Sequence, residues 1–130
     1  MDRIWPVSQG FGENPATYPE YGGHPGIDIA CPTGTIVTAA CDGVVLHAGL
    51  GPPRWLGRGI YVTLGHGTKD EDLESNYMHL SAVLCERGDM VKAGDPIGLS
   101  GNTGWSTGAH CHFDLRRLGV PLDPATVGLL

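Results

Sequence analysis

Short apolar runs, rich in β-branched residues and bounded by turn-forming residues, most constrain how this chain can fold. They recur roughly every ten residues, as in Thr35–Ala40, Gly59–Leu64 and Ala109–Leu115. The chain has 21 glycines and 10 prolines among its 130 residues, and both residue types are unfavourable inside helices. The pattern predicts an all-β sandwich or barrel in a single domain spanning residues 1–130, with helix confined to short segments.

Two turns predict how some of these strands connect. Asp42 and Gly43 form a pair typical of two-residue hairpin loops, so we expect Thr35–Ala40 to pair with Val44–Ala48. A second tight turn, Ala93–Asp95, is predicted to close another hairpin. A further strand is expected at Asn76–Leu80, and solvated loops at Leu50–Gly57 and Thr68–Ser75.

The charge of the chain argues against nucleic acid as a partner. Eight Lys and Arg residues oppose fourteen Asp and Glu residues, which gives a formal net charge of −6 at pH 7. The basic residues are scattered along the sequence, whereas proteins that bind nucleic acid concentrate them on one face. We therefore expect no nucleic-acid partner.

Neither a membrane-spanning segment nor an export signal is predicted. No apolar stretch reaches the roughly 18 residues that a transmembrane helix needs. The first residues are not followed by the apolar segment of a secretory signal peptide. We expect a chain that does not export itself or a domain of a longer protein.

The cysteines predict no zinc site of their own. They lie at positions 31, 41, 85 and 111, without the Cys-x-x-Cys spacing of a thiolate metal site and without a dense disulfide framework. Reduced, mostly buried thiols are favoured over two disulfide bridges, which an even number of cysteines still permits.

Two histidines lie two residues apart in the strand-like run Ala109–Phe113. Side chains alternate between the faces of a strand, so His110 and His112 should share one face and Cys111 should occupy the other. Two imidazoles on one face can bind a metal, or one can bind it while the other transfers protons. A pair of exposed strand histidines is the alternative.

His24 and Asp28 form a second candidate pair, with Pro25 and Gly26 between them. Their four-residue spacing would suit a helix, but proline and glycine disfavour one. A bend at Pro25 and Gly26, followed by the strand-like Ile27–Ile29, would instead bring an imidazole and a carboxylate to one point. The alternative is an N-terminal turn in which Asp28 serves only as a cap.

His24, Asp28 and His112 together offer two nitrogen ligands and one oxygen ligand. Catalytic zinc sites use three protein ligands of these types and keep a fourth position open, whereas structural zinc sites usually fill all four. The set therefore predicts one catalytic zinc ion. His79 and His110 are further candidates, which could orient water or donate a hydrogen bond to an oxyanion.

The order of these motifs resembles the lysostaphin-like, LytM-type zinc endopeptidases. The family pattern is His-x-x-x-Asp, then Tyr-x-His, then His-x-His, and the chain matches it at His24–Asp28, Tyr77–His79 and His110–His112. Flanking segments extend the similarity over nearly the whole chain, from Trp5 to Val127. They are Gly10–Gly12, His24–Ala30, Pro32–Thr35, Asp42–Val45, Val91–Asp95 and Ser100–Gly104.

The resemblance implies roles for five residues. Zinc would be held by His24, Asp28 and His112, while His79 and His110 would form the catalytic pair, with the division of roles between them open. It also implies a mostly antiparallel sheet or sandwich of the duplicated hybrid-motif type with a loop-lined groove. The substrate would be the peptide stems or cross-bridges of bacterial peptidoglycan, cleaved outside the cytoplasm by a monomeric enzyme.

The cleaved bond and the origin of the chain stay open. D-alanyl-diaminopimelate cross-links and glycine bridges both suit the family. A phage lysin, a phage tail component and a domain excised from a secreted enzyme all fit a chain without a signal segment. The alternative function is a non-catalytic cell-wall binding or amidase-activating module of the same fold. Such members usually lack zinc ligands, and this sequence keeps all three.

Several residues near these motifs are expected to lie outside the catalytic set. His47 and His66 should have structural or surface roles, as most histidines outside a ligand cluster do. Tyr61 and Trp105 either line the groove or pack as ordinary strand and turn aromatics. Asn102 and Thr103 either contact the substrate backbone or only shape their glycine-rich turn.

Overall fold

A computed structural model describes residues 7–14, 23–67, 73–106 and 108–124, and these ranges form ten β-strands and one short 3₁₀ helix. The strands are β1 (Val7–Gln9), β2 (Ile27–Ala30), β3 (Ile36–Thr38), β4 (Gly43–Leu50), β5 (Ile60–Gly65), β6 (Leu73–Val83), β7 (Met90–Val91), β8 (Pro96–Ser100), β9 (His110–Arg117) and β10 (Val120–Leu122). The 3₁₀ helix is Pro53–Arg58. Each of these strand pairings is antiparallel, which confirms the all-β, antiparallel prediction. Within the described ranges, no helix is long and apolar enough to cross a membrane.

The strand order places the histidine-bearing strands next to one another. The main path of the sheet runs β1-β2-β9-β6-β5-β4-β7, with β10 against β9 and with β8 joining β3 to β6. Strand β9 therefore lies between β2 and β6. The strand that carries Asp28, the strand that carries His110 and His112, and the strand that carries His79 are three consecutive neighbours.

One face of these central strands builds the apolar core. In β9, Cys111, Phe113 and Leu115 are buried in the core cluster. Ile27 of β2 lies directly opposite Phe113 and joins the same cluster. Because side chains alternate along a strand, the residues between them are directed to the opposite face, as the sequence predicted for His112.

The hairpin predicted at Asp42 and Gly43 is wrong. Strand β3 pairs with β8, and β4 pairs with β5 and β7, so the two strands that flank this turn do not pair with each other. The side chain of Asp42 does not serve a two-residue hairpin loop. Its Oδ1 accepts a hydrogen bond from the amide of Ala93 at 2.8 Å, 51 residues along the chain.

The hairpin predicted at Ala93–Asp95 is also wrong, although the turn itself is present. The amide of Asp95 donates to the carbonyl of Lys92 at 2.9 Å, which closes the turn. The flanking strands then diverge, because β7 pairs with β4 while β8 pairs with β3 and β6. The turn connects two parts of the sheet.

Both predicted loops contain regular structure. The loop predicted at Leu50–Gly57 includes the last residue of β4 and most of the 3₁₀ helix, which begins at Pro53. The loop predicted at Thr68–Ser75 is wrong at its end, because Leu73 and Ser75 belong to β6. Ser75 is fully buried and hydrogen-bonded to Tyr77, so its polarity does not indicate solvation. Positions 68–72 lie outside the described residues.

All four cysteines are free thiols in this structure. Cys31 and Cys111 are buried, and Cys41 and Cys85 are half-buried. Cys111 has no exposed surface and lies in the core cluster. It therefore lies on the face of β9 opposite to the two histidines, as strand alternation predicted.

Candidate metal centre

His24, Asp28 and His112 converge where β2 and β9 lie side by side. Asp28 and His112 are directly opposite each other in the strand pairing. Nδ1 of His112 lies 2.9 Å from Oδ1 of Asp28, and Nε2 of His24 lies 3.3 Å from Oδ2 of Asp28. One ligand atom from each of the three residues falls within 4.8 Å of the others. The structure thus brings together the three residues that the sequence predicted as ligands.

Glycine at position 26 allows the close approach on which this geometry depends. A Cβ atom at Gly26 would overlap the carbonyl oxygen of Phe113 on the neighbouring strand. The backbone of His24 is held by two hydrogen bonds, from its amide to the carbonyl of Glu13 at 2.7 Å and from the amide of Gly12 to its carbonyl at 2.9 Å. The predicted bend between His24 and Asp28 is therefore present, and it is fixed from both sides.

The three candidate ligands form a buried cluster of opposite charges. Burial opposes ionisation of Asp28, but hydrogen bonds from His112 and His24 outweigh it and hold the pKa of this carboxyl well below its usual range. Burial likewise opposes the charge on His112, yet its hydrogen bonds to Asp114 and Asp28 raise its pKa to about 9. In the absence of a cation, His112 therefore carries the positive charge that the carboxylates attract.

The three residues fit a metal ion. A tetrahedral ion with ligand bonds of about 2.1 Å holds its ligand atoms about 3.4 Å apart. The two histidine nitrogens lie 3.3 Å and 2.9 Å from different oxygens of Asp28, and one ligand atom from each residue lies within 4.8 Å of the others, so the three donors surround one point. Two imidazole nitrogens with one carboxylate oxygen also form a donor set that suits divalent transition metals.

His79 lies beside the ligand cluster in a constrained conformation. Its ring centroid is 4.9 Å from that of His110 and 6.2 Å from that of His112. Its backbone φ is 63°, a left-handed value that is uncommon for residues other than glycine. Its Nδ1 lies 2.7 Å from the carbonyl oxygen of Thr103 and must donate to it. Burial lowers the pKa of His79 to about 4, so the ring is neutral at pH 7 and its Nε2 bears a lone pair.

His110 is held in a similar way. Its Nδ1 lies 2.8 Å from the carbonyl of Gly108 and 3.1 Å from the hydroxyl of Ser106. Its Nε2 lies 3.5 Å from Oδ1 of Asp28, next to the ligand cluster. Both His79 and His110 therefore use Nδ1 to fix the ring and leave Nε2 for chemistry.

Sequence reasoning missed the support that three residues give to these histidines. Thr103 fixes His79 through its carbonyl, and its hydroxyl donates to the carbonyl of Leu80 at 2.7 Å, which anchors the turn to β6. Ser106 contacts His110. Asp114 accepts from Nε2 of His112 at 2.9 Å. A signal for Asp114 existed, because it follows His112 by two residues and so shares its strand face.

The histidines that the sequence predicted to lie outside the catalytic set make contacts away from the candidate metal ligands. His47 stacks on Tyr61 with ring centroids 4.1 Å apart, and His66 contacts the carbonyl of Asp42 and the hydroxyl of Ser75. Neither belongs to the metal-ligating group found among the described residues. Trp105 is 87% exposed, so it does not belong to the core, and its ring lies over Gly57.

Most of the chain matches a known protein family. The model of Peptidase family M23 matches residues 22–124, a range that contains all five candidate histidine and aspartate positions. The chain belongs to this family. M23 membership confirms the resemblance that the three sequence motifs indicated.

Relatives with curated names cover most of this M23 chain. It is 37% identical over 126 residues to "Peptidoglycan DD-endopeptidase ShyA" of Vibrio cholerae, which covers 95% of this chain and 27% of that protein. It is 40% identical over 108 residues to "Glycyl-glycine endopeptidase ALE-1" of Staphylococcus capitis, which covers 81% of this chain and 28% of that protein. The chain spans about a quarter of the length of these relatives.

A solved M23 structure matches the fold over almost its full length. The catalytic domain of the antimicrobial peptidase lysostaphin from Staphylococcus simulans superposes with a TM-score of 0.78 at 31% sequence identity. The superposition covers 95% of this chain and 92% of that domain. The antiparallel fold described above is therefore the fold of a lysostaphin-type catalytic domain.

Proposed function

We propose that the chain is a zinc-dependent endopeptidase domain, spanning residues 1–130, that hydrolyses peptide bonds in the stems or cross-bridges of bacterial peptidoglycan. The observation that carries the proposal is the convergence of His24, Asp28 and His112 beside two further imidazoles. Membership of family M23 and the activities named for its relatives support the substrate class. We propose that it acts as a monomer on the wall, outside the cytoplasm.

The metal ligands would hold one zinc ion. When bound, zinc lowers the pKa of a water ligand from 15.7 to about 7 and polarises a carbonyl group. His24 and His112 are neutral ligands in that state, and Asp28 supplies the only ligand charge. The charge of a bound zinc ion would thus be only partly neutralised by its protein ligands.

His79 and His110 would handle the proton and the developing negative charge. Because burial keeps His79 neutral at pH 7, its Nε2 can accept a proton from the attacking water. A ring that has gained a proton can then donate it to the leaving amine. One ring of the pair would accept a proton at Nε2, and the other would donate a hydrogen bond to the oxyanion only when it is itself protonated at Nε2. Loss of such a donor costs roughly a hundred- to thousandfold in turnover.

Purified peptidoglycan provides the direct test. The chain is incubated with walls that contain D-alanyl-diaminopimelate cross-links and with walls that contain glycine bridges, and mass spectrometry identifies the new amino termini. We expect soluble fragments from one of these walls, loss of this activity with a chelator, and recovery with zinc. Activity that survives exhaustive chelation would refute the zinc mechanism.

The same assay distinguishes the rival function. A non-catalytic cell-wall binding or amidase-activating module would sediment with the wall but release no fragments, even when loaded with zinc. The named relatives cleave different bonds, one a DD cross-link and one a glycyl-glycine bond. The amino termini released from the two walls therefore also determine which bond this domain cleaves.

A further inference from the structure

A buried carboxylate lies directly behind the candidate metal ligand His112. Asp114 is fully buried in β9, and its Oδ2 lies 2.9 Å from Nε2 of His112. The other ring nitrogen, Nδ1, is the one that lies 2.9 Å from Asp28. His112 is therefore held between two carboxylates, with Asp28 on the side of the candidate metal site and Asp114 on the opposite side of the ring.

Asp114 is itself held by a row of polar side chains across three strands. Nδ2 of Asn76 donates to Oδ1 of Asp114 at 2.8 Å, and the hydroxyl of Thr63 donates to Oδ1 of Asn76 at 2.6 Å. The three residues are direct cross-strand neighbours on β5, β6 and β9. The Thr63 bond orients the Asn76 amide so that its nitrogen faces the carboxylate.

Arg116 supplies the charge that such a buried carboxylate needs. Its Nε and one terminal nitrogen lie 3.2 Å and 3.1 Å from the two oxygens of Asp114, which is a bidentate arrangement. An isolated buried carboxylate is very costly, but a paired and hydrogen-bonded one is tolerated. Arg116, Asn76 and His112 together donate four hydrogen bonds to Asp114. The direction of this carboxylate is therefore fixed before any metal binds.

We infer that Asp114 is a positioning residue for the metal centre, which holds His112 in the tautomer and orientation that present Nδ1 to the ion. A carboxylate can only accept from the ring, so Nε2 must carry the hydrogen and Nδ1 must carry the lone pair when the ion is bound. Such partners orient ligand histidines and raise their basicity, and their loss typically lowers metal affinity 10- to 100-fold. The inference rests on the proposed metal site.

Metal affinity and a tautomer measurement test this inference without any turnover assay. Asp114→Asn keeps the shape of the side chain but removes its charge and replaces one acceptor oxygen with a donor. We expect zinc affinity, measured by competition with a chromophoric chelator, to fall 10- to 100-fold. The Co²⁺-loaded variant should also have an altered visible spectrum, because the His112 ligand is no longer fixed. Circular dichroism of the metal-free variant checks that the fold is retained.

Ser75→Ala is the matched control. Ser75 is equally buried on β6 and is hydrogen-bonded to Tyr77 and His66, but it does not contact the metal ligands. Its replacement should reduce stability while zinc affinity stays within twofold of wild type. An equal loss of zinc affinity in both variants would overturn a specific role for Asp114.

The wild-type protein provides a second measurement that does not depend on a variant folding. In zinc-loaded protein labelled with ¹⁵N-histidine, long-range ¹H–¹⁵N spectra should show His112 with hydrogen on Nε2 and metal on Nδ1. The opposite assignment, or unchanged zinc affinity in Asp114→Asn, overturns the inference while the proposed metal site stands. Wild-type protein that binds no zinc overturns the proposed function itself.

Discussion

His79→Asn should change how the stability of the metal-free protein depends on pH. Burial lowers the pKa of His79 to about 4, whereas an unfolded histidine titrates near 6.5. Between these values the unfolded chain binds a proton at this position and the folded chain does not. Stability is therefore lost as the pH falls from about 6.5 towards 4.

The magnitude follows from the two pKa values. One pKa unit corresponds to about 1.4 kcal/mol, so the full shift is worth about 3 kcal/mol, of which about 2 kcal/mol is already lost at pH 5. The other shifted groups of the site are present in both proteins, so their contributions cancel in the difference between wild type and variant. The raised pKa of His112 affects stability between about 6.5 and 9, and the lowered pKa of Asp28 acts only below about 4.

Asparagine is the suitable replacement because it tolerates the left-handed backbone at this position and keeps a hydrogen-bond donor for Thr103. Urea unfolding at pH 7, 6 and 5, with chelator present, measures the free energy of unfolding of both proteins. The wild-type advantage over the variant should shrink by about 2 kcal/mol between pH 7 and pH 5. A difference that stays constant over this range would refute a buried, neutral His79.

Four further substitutions test the site from different directions. His110→Ala should keep stoichiometric zinc but lose roughly a hundred- to thousandfold in turnover. His112→Ala should lose the metal, as measured by elemental analysis. An empty metal site in His110→Ala would contradict the ligand assignment. Gly26→Ala should force β2 away from β9 because its Cβ overlaps the Phe113 carbonyl, and it should lower both the melting temperature and the zinc content. Trp105→Ala should leave the melting temperature unchanged because the side chain is 87% exposed. It should weaken cosedimentation of the protein with purified cell wall. Unaltered cosedimentation would exclude Trp105 from the substrate groove.

The convergence of the ligand residues could be predicted because it depends on local rules. Alternation along β9 places His110 and His112 on one face, and the bend before Asp28 needs only the chemistry of proline and glycine. Asp28 and His112 then meet because β2 and β9 pair. Neither pattern alone identified that pairing, and the family resemblance implied only that His24, Asp28 and His112 hold one metal ion.

The wrong predictions concern contacts between residues that are far apart in the sequence. Asp42 and Gly43 match a hairpin signal, yet the Asp42 side chain bonds to Ala93 and the flanking strands pair elsewhere. Asp114 looks like any polar strand residue, because its hydrogen bond from Asn76 joins positions that are 38 residues apart. Local sequence carries no record of which strands pair, so the strand pairing was not predictable from it. The two-residue spacing from His112, in contrast, did indicate that Asp114 shares its strand face.

The pairing of β2 with β9 also makes metal binding depend on complete folding of the chain. Asp28 and His112 are separated by 84 positions in the chain. The ion site therefore cannot form until the chain has been synthesised beyond His112 and β2 has paired with β9. A partly made chain would have no assembled ion site and no peptidase activity. An ion that binds only the closed form in turn stabilises it, by about 4 kcal/mol when free metal is a thousandfold above its dissociation constant.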